Sequence, residues 1–361
     1  MRLARLKQFA RPFAAHGIRS TRLRSLEGFG SNPGDLGAWY FTPSEGVEPM
    51  PLVVVLHGCT QSAHSYDIGS GWSALAEAHG FAVVYPEQQA ANNPNGCFNW
   101  FDSSDTRRGS GEAYSIAQMV DAMIAHHRVD RARVFITGLS AGGAMTSVLL
   151  ATYPEKFAGG AIIAGLPYGA AASVQGALQQ MRAHKPSSRT TGASVKCAAP
   201  HKGPWPAVSV WHGTSDTVVD ESNADAIVRQ WREVHGLPDN PNVTEVVDGQ
   251  QRRVWQDPSG RTVLEDYRIA AMGHGVPLAT SGADPLGQVG AFMLEAGISS
   301  TLHIAKAWGL VEAREARVRA KAKPAKAVPA PTADEIPPPI DAQTQVSKVI
   351  EQALRTAGLM R

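Results

Sequence analysis

A strand-like run, a glycine-flanked serine and a helix-like run follow one another directly between residues 134 and 150. Val134-Phe135-Ile136-Thr137 is apolar and largely β-branched. Gly138-Leu139-Ser140-Ala141-Gly142 comes next, and Ala144 to Leu150 then reads as a buried helix. No other stretch constrains the fold as much. A strand that passes straight into a helix must turn sharply, and the residue at the apex leaves no room for side chains two positions to either side. Glycine at 138 and 142 meets that demand. The helix N-terminus then aims backbone N–H groups at any negative charge forming beside Ser140. The pentapeptide alone decides little, because shuffling a chain with 35 glycines in 361 residues yields about 0.2 such matches. The bland alternative is a glycine-rich strand-to-helix loop, so the weight of the motif rests on partners elsewhere.

Strand-like runs recur near residues 36–41, 51–57, 81–86, 133–138, 160–164, 207–212 and 263–270. Helical patterns fall near 71–80, 112–127, 141–153, 221–236 and 285–297. Such alternation predicts an α/β fold, a mostly parallel central sheet with helices on both faces. Together with the serine turn it predicts the α/β-hydrolase architecture. Asp257-Pro258-Ser259-Gly260 between Val254-Trp255 and Thr262-Val263-Leu264 predicts a local hairpin.

A serine hydroxyl needs a base to take its proton, and the base needs an acid to orient it. In this architecture the chain order is Ser, acid, His, each on a loop past a strand. The run Ala207 to Trp211 ends in His212-Gly213-Thr214-Ser215-Asp216, which places Asp216 just beyond a strand. Tyr267 to Ala270 ends in Met272-Gly273-His274-Gly275, which places His274 on a second such loop. Asp220 competes for the acid role, and an N-cap or turn is the alternative use of Asp216. Position after a strand, flanking glycines and chain order select His274 over His212, His235 and His303. Upstream, Leu52 to Leu56 reads as a strand covered on both faces and ends in His57-Gly58-Cys59-Thr60-Gln61. The oxyanion hole is therefore assigned to the backbone N–H groups of Cys59 and Ala141. His57 is read as a prop for its loop, with both ring nitrogens bonded.

These residues resemble the esterase family of poly(3-hydroxybutyrate) depolymerases, relatives of carbohydrate and feruloyl esterases. The resemblance is carried by Leu56 to Gln61, Tyr85-Pro86-Glu87-Gln88, Asn93-Pro94, Cys97 to Phe101, Gly138 to Gly143, His212 to Asp216 and Gly273-His274, and spans residues 28 to 310. It implies a serine esterase with Ser140, Asp216 and His274 as triad, no metal and no organic cofactor. It implies polyester or small-ester substrates, with acetyl and feruloyl esters of polysaccharide as the alternative. A granule-binding protein with a vestigial site is a further alternative. It also implies that Cys59 and Cys97 approach each other and bridge where the surroundings are oxidising. Many secreted members carry a Trp soon after the histidine, whereas Gly275-Val276-Pro277 stands here.

The domain reading is a basic amphipathic arm over 1–27, a catalytic domain over 28–310, an Ala/Lys/Pro-rich linker over 311–340 and an amphipathic helix over 341–361. Within the catalytic domain, 166–206 interrupts the strand–helix rhythm and is read as a small cap over the cleft, an ordinary surface excursion being the alternative. Trp100, Phe101, Tyr168 and Trp205 are the candidate substrate walls, with core packing as their alternative use. A net charge of +2 implies no pull toward nucleic acid. No apolar run approaches the roughly 18 residues of a membrane span. The arm is read either as a surface-binding helix for a polymer granule or anionic lipid or as a solvated helix packing on its own domain, and it lacks the apolar core of a secretory signal. With three cysteines, this favours the cytoplasm, granule association included, over the extracellular alternative. Oligomeric state is left open.

Overall fold

The computed structural model describes residue 20 and residues 22–44, 49–182 and 189–311. The expected linker and C-terminal helix lie outside the described residues, apart from Val311, and so does most of the expected arm. Arg24 and Ser25, at the end of that arm, pair as a short strand at the edge of the main sheet.

Among the described residues ten strands form this sheet. They are β1 (Arg24–Ser25), β2 (Gly37–Phe41), β3 (Met50–Leu56), β4 (Ala82–Glu87), β5 (Val129–Leu139), β6 (Gly159–Ile163), β7 (Ala207–Gly213), β8 (Val243–Val247), β9 (Gln250–Gln256) and β10 (Thr262–Ile269). Across the sheet the order is β1-β2-β4-β3-β5-β6-β7-β10-β9-β8. The central six, from β4 to β10, are parallel, whereas β2 and the β9–β8 pair join antiparallel at opposite edges. The parallel strands therefore end on one common edge, where ligands bind in open α/β sheets. Two short strands, β11 (Val276–Leu278) and β12 (Met293–Glu295), form a separate parallel pair.

The helices are α1 (Ala63–Ser70), α2 (Trp72–His79), α3 (Ser103–Thr106), α4 (Gly111–His126), α5 (Ala141–Thr152), α6 (Val174–Met181), α7 (Gly192–Lys196), α8 (Ser222–His235) and α9 (Ser300–Ala307). Side chains alternate across a strand, and β3 shows what this does to packing. Leu52, Val54 and Leu56 face a core shared with Ile116 and Met119 of α4, Leu149 of α5 and Trp231 of α8. Val53 and Val55 face the opposite core, with Trp72 and Leu75 of α2 and Ile304 of α9. Each of these five β3 residues is fully buried. Burial of that kind contributes roughly 1.5–3 kcal/mol per large aliphatic side chain.

The hairpin forms as expected, closed by Gly260 N–H donating to Asp257 O at 2.9 Å. The helix expected over 285–297 does not form. The left-handed backbone of Gly287 (φ 81°), Phe292 (φ 61°) and Gly297 (φ 69°) breaks it, and β12 occupies its end. The helix in this region is α9, which starts after Ser299, whose hydroxyl accepts from Leu302 N–H. Among the described residues no helix is long and apolar enough to cross a membrane.

Candidate active site

Ser140 stands between the last residue of β5 and the first of α5, with φ 58° and ψ −117°. Such a conformation costs on the order of 1–3 kcal/mol and persists only where the surroundings hold it. The surroundings are backbone. Ser140 N–H donates to Ile163 O at 2.9 Å, and Ser140 O accepts from Ala144 N–H at 2.8 Å. A Cβ on Gly138 would lie 2.4 Å from Gly142 O, and a Cβ on Gly142 would lie 2.5 Å from both Leu56 O and His57 O. The two glycines thus let the start of α5 sit against the end of β3. The Ser140 hydroxyl makes no capping bond to the helix it precedes.

Asp216 follows β7 and His274 follows β10, the neighbouring parallel strand. His274 Nδ1 lies 2.7 Å from Asp216 Oδ2. The other oxygen, Oδ1, accepts from Val218 N–H at 2.8 Å and Val219 N–H at 2.9 Å. Burial pushes this carboxyl up, but His274, His212 and the Val219 N–H outweigh it and hold it below the usual carboxylate range. A hydrogen-bonded carboxylate on Nδ1 leaves Nε2 as the working nitrogen of His274. The two loops are knitted together: Ser215 N–H donates to Met272 O at 3.0 Å and Ala271 N–H to Thr214 Oγ1 at 3.0 Å.

A second histidine stands behind Asp216. His212 Nε2 lies 2.9 Å from Val219 O and 3.5 Å from Asp216 Oδ2, with both His212 and Asp216 side chains fully buried. Burial holds His212 below its ordinary range, ahead of Asp216, which pulls it up. The ring therefore stays neutral and donates from Nε2.

The loop after β3 carries the other half of the site. Gly58 N–H is taken by Gln61 Oε1, Thr60 N–H by Asn95 O and Gln61 N–H by Gly58 O. Cys59 is left as the residue of this loop whose N–H has no partner among the described residues. Ala141 opens α5, where helical N–H groups have no intrahelical acceptor. His57 sits behind the loop, with Nδ1 2.8 Å from Gly58 O and Nε2 accepting from Gln88 N–H at 3.1 Å. Burial lowers its pKa, so it props the loop in the neutral form. Cys59 and Cys97 form a disulfide, and Cys197 is free and exposed.

Further back, Gln88 Nε2 donates to Cys97 O at 2.9 Å and to Glu112 Oε1 at 2.6 Å. Asn99 N–H donates to Glu112 Oε2 at 2.8 Å. Glu112 is buried, and burial together with the charge of Asp105 pushes it up to about 8 against those donors. The carboxyl of α4 thereby anchors the chain on either side of the disulfide.

The four expected aromatic walls all pack against one core. Trp100 is buried and meets Phe101 edge-on at 5.6 Å, both in the loop after β4. Tyr168 lies half-buried after β6, its backbone held by the Gln230 amide at 3.0 and 2.9 Å. Trp205 precedes β7 and so lies at the opposite end of that strand from Asp216. It packs edge-on to Trp231 at 6.5 Å, so the structure does not bring it to Ser140. The described part of the 166–206 excursion packs on α5 and α8, through Ser147 Oγ to Leu166 O at 2.7 Å and the Tyr168–Gln230 pair. It meets the acid loop where Asp220 N–H donates to Met181 O at 2.7 Å.

Sequence reading passed over Phe292, which stands edge-on to His274 with ring centroids 6.0 Å apart. No spacing rule links it to the histidine. It also treated His212 only as a rejected candidate for the base, although four-residue proximity to Asp216 was a usable signal.

The family model described as Esterase PHB depolymerase matches residues 36–253. Poly(3-hydroxyalkanoate) depolymerase C of Paucimonas lemoignei is 44% identical over 295 residues, covering 80% of this chain and 70% of its own length. Probable acetylxylan esterase A of Aspergillus clavatus is 31% identical over 268 residues, covering 72% of this chain and 86% of its own. Feruloyl esterase B of Talaromyces funiculosus is 28% identical over 274 residues, covering 73% and 76%. Among solved structures, an acetyl xylan esterase from Aspergillus awamori matches with a TM-score of 0.66 at 24% identity, over 80% of this chain and 99% of its own. At that identity the likeness speaks for the fold.

Proposed function

The chain belongs to the Esterase PHB depolymerase family, and on that premise we propose that it hydrolyses oligo- or poly(3-hydroxybutyrate)-type esters through an acyl-enzyme on Ser140. It is a serine ester hydrolase of the α/β-hydrolase fold. The observation that carries the residue assignment is the 2.7 Å His274–Asp216 contact on the edge where the strained Ser140 turn emerges.

In the first half-reaction His274 Nε2 takes the Ser140 proton as Oγ attacks the ester carbonyl. Asp216 stabilises the imidazolium that forms. The N–H groups of Cys59 and Ala141 hold the oxyanion, each contributing on the order of 10²–10³ in rate. The tetrahedral intermediate collapses, the C–O bond to the alcohol breaks, and His274 returns the proton to the leaving oxygen. Water, deprotonated by His274, then attacks the acyl carbon; the bond to Ser140 Oγ breaks, His274 returns the proton to Oγ and the acid leaves. Every step uses side chains and backbone amides of the chain itself.

Polyester is favoured by the 44% identity to a polyhydroxyalkanoate depolymerase. An acetyl or feruloyl esterase is the second reading, favoured by relatives at 31% and 28% identity. Product analysis on 3-hydroxybutyrate oligomers beside acetylated xylan separates the two. Replacing Ser140 with Ala abolishes turnover and labelling by a serine-directed phosphonate in a folded protein; substantial residual hydrolysis would sink the assignment. The cystine suits an oxidising compartment, which favours the extracellular alternative over the cytoplasm expected from sequence. A polymer surface is the proposed partner of residues 311–361. Their deletion should lower activity on particulate polyester and spare soluble esters.

A further inference from the structure

Phe292 is a half-buried aromatic residue with φ 61°, in the left-handed region that bulky side chains rarely adopt. Three contacts hold it there. Phe292 O accepts from Val276 N–H at 2.8 Å, two residues past His274. Met293, the next residue, pairs with Val276 in the β11–β12 ladder. The preceding carbonyl, Ala291 O, accepts from Gln61 Nε2 at 3.3 Å, and the same Gln61 amide binds Gly58 N–H through Oε1 at 2.9 Å. The segment carrying Phe292 is thus tied at once to the histidine loop and to the loop of Cys59. Gly275 makes room for it, since a Cβ there would stand 2.8 Å from Phe292 O. A strained conformation over-determined on both sides points to a placed side chain. The placed ring meets the imidazole of His274 at 76° and 6.0 Å.

We propose that Phe292 is a specificity-determining residue, the apolar wall for the alcohol portion of the ester. The argument is geometric and rests on the reading of His274 as base and acid. His274 Nε2 must come within about 3 Å of the leaving oxygen to return its proton. Whatever is attached to that oxygen therefore lies beside the imidazole, and Phe292 flanks the imidazole. The acyl chain is attached to the carbonyl carbon and not to the oxygen that His274 Nε2 protonates, so nothing in that proton transfer brings it against this ring. In a polyester the alcohol portion is the next hydroxyacyl unit of the chain. Phe292 then reads the leaving strand of the polymer, and the acyl side is read elsewhere.

The test is a pair of ester panels assayed as kcat/KM. One holds the acyl group constant with methyl, butyl and benzyl acetate. The other holds the alcohol constant with 4-nitrophenyl acetate, butyrate and hexanoate. Phe292→Ala should cut the benzyl-to-methyl preference by about tenfold, the scale at which apolar pockets discriminate. The order within the 4-nitrophenyl series should shift by less than about twofold, and Phe292→Leu should recover part of the benzyl preference. Phe292→Gly, which relieves the left-handed backbone as well as deleting the ring, should match Ala in discrimination; it supplies the reading if Ala folds poorly. Equal loss across both panels would make Phe292 a mere support for His274 and overturn the proposal. So would a changed acyl order, or unchanged alcohol preference in all variants. No turnover of any ester by the unaltered chain would overturn the esterase reading and this one together, whereas the preceding outcomes overturn this one alone.

Discussion

A Cβ on Gly213 would stand 2.2 Å from the carbonyl oxygen of Met272. Gly213 ends β7 and Met272 precedes His274, so this contact is where the acid loop and the histidine loop touch. The absence of a side chain at 213 sets how closely Asp216 and His274 approach. Gly213→Ala should push the 272–274 segment outward and cost about 1–3 kcal/mol in denaturant stability. It should also lower kcat by about 10², the scale of a 1 Å misplacement of catalytic groups. Unaltered kcat in a folded variant would show that the loops have slack between them.

His212 makes a second claim on the same geometry. Its Nε2–H holds Val219 O, and Val219 N–H holds Asp216 Oδ1. His212→Ala leaves a buried carbonyl unpaired, which costs about 1–3 kcal/mol. The acid loop then loses its support from behind. The expected kinetic signature is a fall in kcat with KM nearly constant, because His212 touches the acid and not the ester. A rise in KM alone would place His212 in substrate binding instead.

How much of this could be read from the chain depended on which physical signal each part left. Leu52 to Leu56 is buried on both faces, so it appears as an unbroken apolar run, and β3 was legible. The places of Ser140, Asp216 and His274 just past β5, β7 and β10 were legible because each follows such a run. The stretch 285–297 misled because Phe292, Met293 and Leu294 supply apolar residues without supplying helical backbone, which the left-handed Gly287 and Phe292 break. Helix α1 was missed for the opposite reason. Its sequence has little apolar periodicity, and its start is fixed by polar atoms, the capping box between Ser62 and Ser65. Trp205 was assigned by residue type alone. The direction of β7 already placed it at the far end from Asp216.

The disulfide between Cys59 and Cys97 fixes the proposed oxyanion donor, the Cys59 N–H, to the loop after β4. Its partners are 38 residues apart in sequence, and closing a loop of that size stabilises the fold by about 4 kcal/mol in the chain-entropy description. Cys97→Ala should lower stability by about 2–5 kcal/mol and, on the proposed role of the Cys59 N–H in holding the oxyanion, lower kcat more than it raises KM. Treating the unaltered protein with a thiol reductant should reproduce both effects, and Cys197→Ala, at the exposed free thiol, should reproduce neither. Full activity of Cys97→Ala at unchanged stability would show that the bridge contributes nothing to the site.

Glu112 gives the fold a dependence on pH whose sign follows from its raised pKa. The folded value is about 8, against an ordinary 4.5. Between these values the native carboxyl keeps a proton that the unfolded chain has released, so stability falls as pH rises through this window and levels off above it. Each unit crossed costs on the order of 1 kcal/mol. Glu112→Gln removes the titration. It also replaces one accepting oxygen by an amide nitrogen, so either Gln88 Nε2 or Asn99 N–H loses its partner. The variant should therefore be less stable than the unaltered chain near pH 5, by about 1 kcal/mol for the lost bond. The difference should shrink and then reverse by pH 9, where the unaltered protein carries a buried charge and the variant does not. Urea midpoints measured across this range decide the matter. Parallel pH curves for the two proteins would show that Glu112 keeps the same charge folded and unfolded.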